Sequence, residues 1–184
     1  LPEVNEVHVV GVKNEVKELL FLSTDSKEPV KIIAAELSGN FEHQFSFTLE
    51  EELNAIVKYS LPQKYLVLPY ACILKTGAFK SFAVRFGLSK LHPHTHLYTA
   101  NELPEQVNGR VFEVLEELKL DKKMLKTRFP DGKVNVLTRN YPIKPDLIKK
   151  RYKLKDGGDE YLIACTLVDG QTSVLRCKLF QERN

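Results

Sequence analysis

The stretch Tyr161-Leu-Ile-Ala-Cys-Thr-Leu-Val-Asp-Gly-Gln-Thr-Ser-Val-Leu-Arg-Cys-Lys-Leu-Phe180 decides the fold class. Two runs rich in apolar and β-branched residues flank Asp169-Gly170, a pair suited to the positive φ angles of a two-residue hairpin turn. The expected register sets Val168 opposite Gln171, hence Cys165 opposite Val174 and Cys177 opposite Leu162. The two thiols would then lie on opposite faces of the sheet, with no disulfide between them. Cys72 is the third cysteine, and no Cys-x-x-Cys occurs. This usage reads as three buried, reduced thiols and a cytoplasmic setting.

Upstream of the hairpin the punctuation alternates strand with helix. Val111 to Leu118 reads as a strand, Asp121 caps a helix over Lys122 to Thr127, and Pro130-Asp-Gly132 turns into a strand over Val134 to Thr138. Pro145 and Asp146 start a second helix, Leu147 to Tyr152, which Gly157-Gly158 separates from the hairpin.

The N-terminal half reads differently. Val7 to Val12, Val16 to Leu22, Val30 to Leu37 and His43 to Leu49 are strand-like, separated by Lys13-Asn14, Asp25-Ser-Lys-Glu-Pro29 and Ser38-Gly-Asn40, and are expected to form an antiparallel meander. Phe45, Phe47 and Leu49 alternate with polar residues, the mark of a strand with one buried face. Thr48 and Glu51 have capping-box spacing for a short helix from Leu49. Ala78, Phe79, Phe82, Ala83 and Phe86 recur at helical spacing, with Thr76 as N-cap and Gly87 as stop, predicting one helix whose aromatic face covers the strands.

Thr99-Ala-Asn-Glu-Leu-Pro-Glu-Gln-Val-Asn-Gly109 lacks any apolar period, so the expected organisation is α+β with two tandem domains, residues 1–104 and 105–184. Charge divides at the same seam. Residues 1–109 hold 10 Lys and Arg against 13 Asp and Glu, a net −3, whereas residues 110–184 hold 17 against 11, a net +6. The window Lys119 to Lys155 has 13 basic and three acidic residues, the footprint expected of a polyanion-binding face. Candidate contacts to nucleic acid are Lys126, Arg128, Arg139, Asn140, Lys149, Lys150, Lys153 and Lys155.

Several chemistries find no residues to carry them. Lys75-Thr76-Gly77 lacks the glycines of a phosphate loop, the scattered glycines make no dinucleotide-binding turn, and neither Gly-x-Ser-x-Gly nor His-Glu-x-x-His occurs. His92, His94 and His96 would project from one face of an extended segment, but ligands at that spacing reach one ion only through a distorted backbone, so the expectation is no metal and no catalytic residue. The apolar stretch Tyr65 to Leu74 is broken by Pro69 and is too short to cross a membrane. The first residue is Leu1 and the only methionine is Met124, from which a piece of a longer protein is expected.

The stretches Leu68-Pro-Tyr-Ala-Cys-Ile-Leu-Lys-Thr-Gly-Ala-Phe79, Lys90-Leu-His-Pro-His-Thr-His-Leu-Tyr-Thr99 and Gly109-Arg-Val-Phe112 resemble one family. Asn135-Val-Leu-Thr-Arg-Asn-Tyr-Pro142 and Lys155-Asp-Gly-Gly-Asp-Glu-Tyr-Leu162 continue the likeness. The family is the bacterial class I S-adenosylmethionine-dependent methyltransferases that end in a THUMP-like domain. The resemblance implies a ferredoxin-like domain followed by a THUMP-like one, with the methyltransferase domain and its S-adenosylmethionine upstream of these residues. It implies an RNA-handling accessory region, with tRNA or rRNA as partner and Arg139, Asn140 and Lys155 as first candidate contacts. Two rival expectations stand beside it: a module that braces the methyltransferase domain or a partner protein without binding nucleic acid, and a metal or enzymatic site at the three histidines.

Overall fold

A computed structural model describes residues 4–25, 27–38 and 41–181. Four strands, β1 (Glu6–Val12), β2 (Glu15–Leu22), β3 (Lys31–Ser38) and β4 (Phe41–Thr48), form one sheet. The β1–β2 hairpin turns through Lys13 and Asn14, both at positive φ (53° and 59°), as a tight hairpin of right-handed strands requires. The strand order is β2-β1-β3-β4, and β1 pairs with β3 in parallel, so the sheet is not the simple antiparallel meander expected. The chain after β2 crosses back to the far side of β1. That route leaves every residue of β2 exposed and places the buried Ala34 beside the buried Val9.

Thr48 and Glu51 form the expected capping box at α1 (Leu49–Asn54). After β5 (Tyr65–Pro69), the aromatic stripe is divided between α2 (Ala71–Thr76) and α3 (Lys80–Arg85) rather than lying on one helix. Thr76 ends α2 instead of capping α3, its hydroxyl donating to the Ile73 carbonyl at 2.7 Å, and Gly77 breaks the helix at φ 81°. The cap of α3 comes from elsewhere in the sequence. The Glu52 carboxylate accepts from the backbone N–H groups of Phe79, Lys80 and Ser81 at 3.2, 2.8 and 2.8 Å, and from the Ser81 hydroxyl at 2.7 Å. Phe82 and Phe86 pack on Phe45 of β4, so the stripe does cover the four-stranded sheet.

The remaining strands are β6 (Ser89–His92), β7 (Thr95–Ala100), β8 (Gly109–Leu118), β9 (Asn135–Arg139), β10 (Glu160–Thr166) and β11 (Thr172–Gln181). With β5 they make one seven-stranded sheet of order β6-β7-β5-β8-β11-β10-β9. The seam placed between residues 104 and 105 lies in the β7–β8 loop, while β5 pairs with both β7 and β8, so hydrogen bonding is continuous across it. Two helices, α4 (Lys122–Arg128) and α5 (Pro145–Tyr152), precede β9 and β10, and Asp121 caps α4 as expected by accepting from Met124 N–H.

Alternation along the strands sorts side chains into three cores. Leu66, Leu97, Phe112, Ile163 and Leu175 share the inner face of the seven-stranded sheet. On the other face, Val67, Tyr98 and Val111 pack with α2, α3 and the four-stranded sheet. Val136, Leu162 and Val174 pack with Leu125 of α4 and Ile148 of α5. The sheet curls about its inner core until β7 comes alongside β9, and the Thr95 hydroxyl donates to the Thr166 carbonyl at 2.8 Å.

The hairpin expected at Asp169-Gly170 forms, with its register one residue from the two-residue-turn expectation. Leu167 N–H donates to Gln171 O and Gly170 N–H to Leu167 O, with Gly170 at φ 80°, a three-residue loop closed by a left-handed glycine. Cys165 therefore faces Ser173 and Cys177 faces Tyr161, which puts both thiols on the same inner face rather than on opposite ones. All three cysteines are free and buried.

Candidate nucleic-acid interface

The basic window of the second half spreads over several places. The first is a groove of about 400 Å³ between α4 and α5, lined by Lys122, Lys126, Phe129, Asp131, Tyr152 and Lys153. It follows from local sequence: Asp121 starts α4 with lysines on its open face, and Lys153 ends α5 in the left-handed conformation at φ 58°. Lys122, Lys126 and Lys153 make no ion pair among the described residues, so three ammonium groups stand free beside the half-buried Tyr152 ring, with Phe129 buried beneath. This combination suits a phosphate backbone with neighbouring bases.

Other candidates are already engaged within the protein. Arg128 donates to Glu116 as part of a network in which Arg176 bridges Glu116 and Glu160 at 2.7–2.8 Å. The two guanidinium groups hold the Glu116 carboxyl below its ordinary range. Lys149 pairs with Asp146 at 3.0 Å and Asp156 at 2.7 Å, which raises its pKa. Lys150 is exposed on α5. Lys155 is exposed where the chain bridges to Lys133, beside a turn that Asn135 clamps by donating to Gly158 O and accepting from Gly157 N–H.

Arg139 and Asn140 sit apart from these, at the C-terminal end of β9 where the curled sheet meets the β6–β7 hairpin. The Asn140 amide lies 3.3 Å from His92 Nδ1, and the Asn140 carbonyl accepts from the Thr166 hydroxyl. The three histidines do not share one face of an extended segment, because the chain reverses at Pro93-His94 between β6 and β7. His94 N–H donates to His92 Nδ1 at 3.0 Å, while His96 stacks on Phe79 with ring centroids 3.7 Å apart. Among the described residues, no three His, Cys, Asp or Glu side chains are placed to hold a metal. Burial, reinforced by Lys90, His94 and Arg139, pushes His96 down to about 4.

Arg110 belongs to this place and was not a sequence-level candidate. Alternation with Val111 directs it to the inner face, where its guanidinium lies 5.6 Å from the Phe112 ring. Arg139 pairs in register with Cys165, on the same inner face. Burial first, and then the nearby Arg110 charge, lower the Arg139 pKa. The quoted stretches around His92, Arg110 and Arg139 are thus one cluster in space, although nothing in their linear spacing says so.

Residues 65–107 match the ferredoxin-like domain family and residues 109–179 the THUMP domain-like family. A solved structure from Porphyromonas gingivalis W83, described as a candidate methyltransferase, superposes with a TM-score of 0.89 and 35% identity over 98% of this chain and 47% of its own. Two uncharacterised S-adenosylmethionine-dependent methyltransferases, from the CDC 1551 and H37Rv strains of Mycobacterium tuberculosis, are each 30% identical over 95 residues, 50% of this chain. The matched stretch is 26% of each curated relative's length.

Proposed function

We propose, from the premise that this chain joins a ferredoxin-like domain at residues 65–107 to a THUMP-like domain at residues 109–179, that it is the non-catalytic substrate-recognition part of an S-adenosylmethionine-dependent methyltransferase acting on RNA. The chemistry and the cofactor belong to a catalytic domain outside these residues, as the names of the relatives suggest. The observation that carries the RNA reading is the α4–α5 groove, where Lys122, Lys126 and Lys153 present unpaired charge beside Tyr152. Phosphates of a tRNA or rRNA strand would run along the lysines, and a base would rest on an aromatic edge.

The test is binding of labelled bulk tRNA and rRNA across a salt series. Three lost phosphate contacts reduce the slope of log K against log salt by about 2 for a single strand. A Lys122→Gln, Lys126→Gln, Lys153→Gln variant that keeps the parent's slope would remove the groove from the reading, and no binding at low salt would end it for this chain.

One observation favours a second reading, a module that braces a neighbouring protein domain. Strand β2 is an open sheet edge, and Leu19, Leu20, Phe21 and Leu22 are 41–61% exposed. Apolar docking there would be insensitive to salt, unlike phosphate contact.

A further inference from the structure

We propose that Arg110 and Arg139, with His92 and Asn140 at the rim, form a binding site for a single phosphate group at the mouth of the curled sheet, separate from the α4–α5 groove. The two guanidinium groups come from strands that are not neighbours in the sheet order. Arg110 pairs with Leu68 of β5, the neighbour of β7, and Arg139 with Cys165, next to the Thr166 carbonyl that accepts from Thr95 of β7, so the curled sheet turns both onto its inner face where β7 meets β9. Neither forms an ion pair with a described carboxylate. Arg139 spends one N–H on the carbonyl of its own neighbour Thr138, at 3.1 Å, and Arg110 Nε is buried with no hydrogen-bond partner.

Like charges held together at a partly buried position destabilise the fold unless something opposes them, and an unpartnered buried donor adds to that cost. Lys90 and His96 stand on the opposite face of the sheet, Lys90 over the Phe79 and Tyr98 rings with its ammonium donating to the Pro93 carbonyl at 2.9 Å and His96 stacked on Phe79, so the two arginines carry the inner-face site.

A cation is the wrong occupant here because the two guanidinium charges would repel it. A tetrahedral oxyanion fits, since planar guanidinium forks offer paired N–H donors to adjacent oxygens. His92 Nδ1 accepts from His94 N–H, which leaves Nε2–H as that ring's donor at the rim, and the Asn140 amide, 3.3 Å from the same Nδ1, is the second.

The ligand is thus a phosphate group, carried either by a free nucleotide or by a polynucleotide strand, and the experiment separates the two. The 184-residue chain, labelled with nitrogen-15, is titrated at fixed ionic strength with inorganic phosphate, with adenosine monophosphate and with a short oligoribonucleotide, following the arginine Nε–H and histidine ring signals. Saturable shifts of Arg110 and Arg139 with phosphate, absent with chloride, are expected.

Arg139→Gln and Arg110→Gln should each weaken phosphate binding about tenfold or more, whereas Lys75→Gln, at an exposed position of α2, should leave it unchanged. Arg139→Lys, which keeps the charge and loses the fork, should fall between and covers the case in which Arg139→Gln does not fold. Competition by the oligoribonucleotide assigns the phosphate to a strand, and saturation by the mononucleotide without such competition assigns it to a free ligand. Shifts of equal size with chloride, no saturation at millimolar phosphate, or full binding by Arg139→Gln would overturn the proposal whether or not the groove binds RNA.

Discussion

Glu52→Ala tests how the first half of the chain is tied to the histidine hairpin. One carboxylate at the end of α1 takes three backbone N–H groups and one hydroxyl from the start of α3, all at 3.2 Å or less. A cap residue alone is worth about 0.5–2 kcal/mol, and a hydrogen bond to a charged group about 1.5–3 kcal/mol. The four bonds share one carboxylate and are not additive, so the expected loss is about 2–4 kcal/mol for Glu52→Ala and about half of that for Glu52→Gln, which keeps one acceptor.

The damage should also reach beyond α3. Phe79, whose N–H is one of the four donors, receives the Tyr98 hydroxyl on its carbonyl at 2.8 Å and carries His96 on its ring. Urea unfolding followed by circular dichroism measures the free energy. Exposed Glu50, in the same helix but outside the cap, is the control, with Glu50→Ala within about 0.5 kcal/mol of the parent. A Glu52→Ala loss below about 0.5 kcal/mol, or unchanged His96 ring signals beside a large loss, would refute the account of Glu52 as the anchor.

Three further outcomes are expected. His96 is held neutral down to about 4, below its ordinary 6.5, so the unfolded chain binds the extra proton first; stability should be full above pH 6.5 and fall by about 2 kcal/mol towards pH 4, a loss that pH-dependent unfolding of His96→Phe should not show if the assignment is right. Burial pushes the Cys72 and Cys165 thiols up to about 12 and Cys177 up as well, so a thiol reagent should leave all three untouched in the folded chain and react with all three in denaturant. A methyl group at Gly109 would sit 2.5 Å from the Leu68 carbonyl and 3.0 Å from Pro69 Cα, so Gly109→Ala should destabilise by about 2–4 kcal/mol by forcing β5 and β8 apart; a melting temperature equal to the parent's would contradict that packing.

Local chemistry was legible where a few adjacent residues decide the outcome. Thr48 with Glu51, Asp121, Pro145 and Gly170 all act where their types and spacing place them. The hairpin register slipped because Asp-Gly also serves a three-residue loop closed by a left-handed glycine, and one residue of slip moved Cys177 to the other face. The aromatic stripe looked like one helix because the side chain that starts α3, Glu52, lies far away in sequence. Parallel pairing of β1 with β3 and continuity of the sheet through β5 and β8 depend on which strand finds which partner, and alternation carries no information on that. Charge identified Lys126 and Lys153 at the groove but could not show that Arg128 and Lys149 were taken by carboxylates, or that Arg110 stands beside Arg139.

The strand order of the seven-stranded sheet also bears on how the chain is made. Leu66 of β5 pairs with Phe112 of β8, and Phe112 with Leu179 of β11, so the two central pairings join segments far apart in sequence. Contacts of such long range slow folding, because loop closure must precede any reward. At roughly 5–20 residues per second on the ribosome, β8 waits several seconds for β11 to emerge. Throughout that interval β5 to β8 have only one another, and the inner face around Phe112, Leu66 and Leu97 lacks Ile163 and Leu175. The THUMP-like half is therefore where a nascent chain is most exposed to mispairing and most dependent on chaperones, and slowing translation between β8 and β11 should lower the yield of native protein more than slowing it within the first 50 residues.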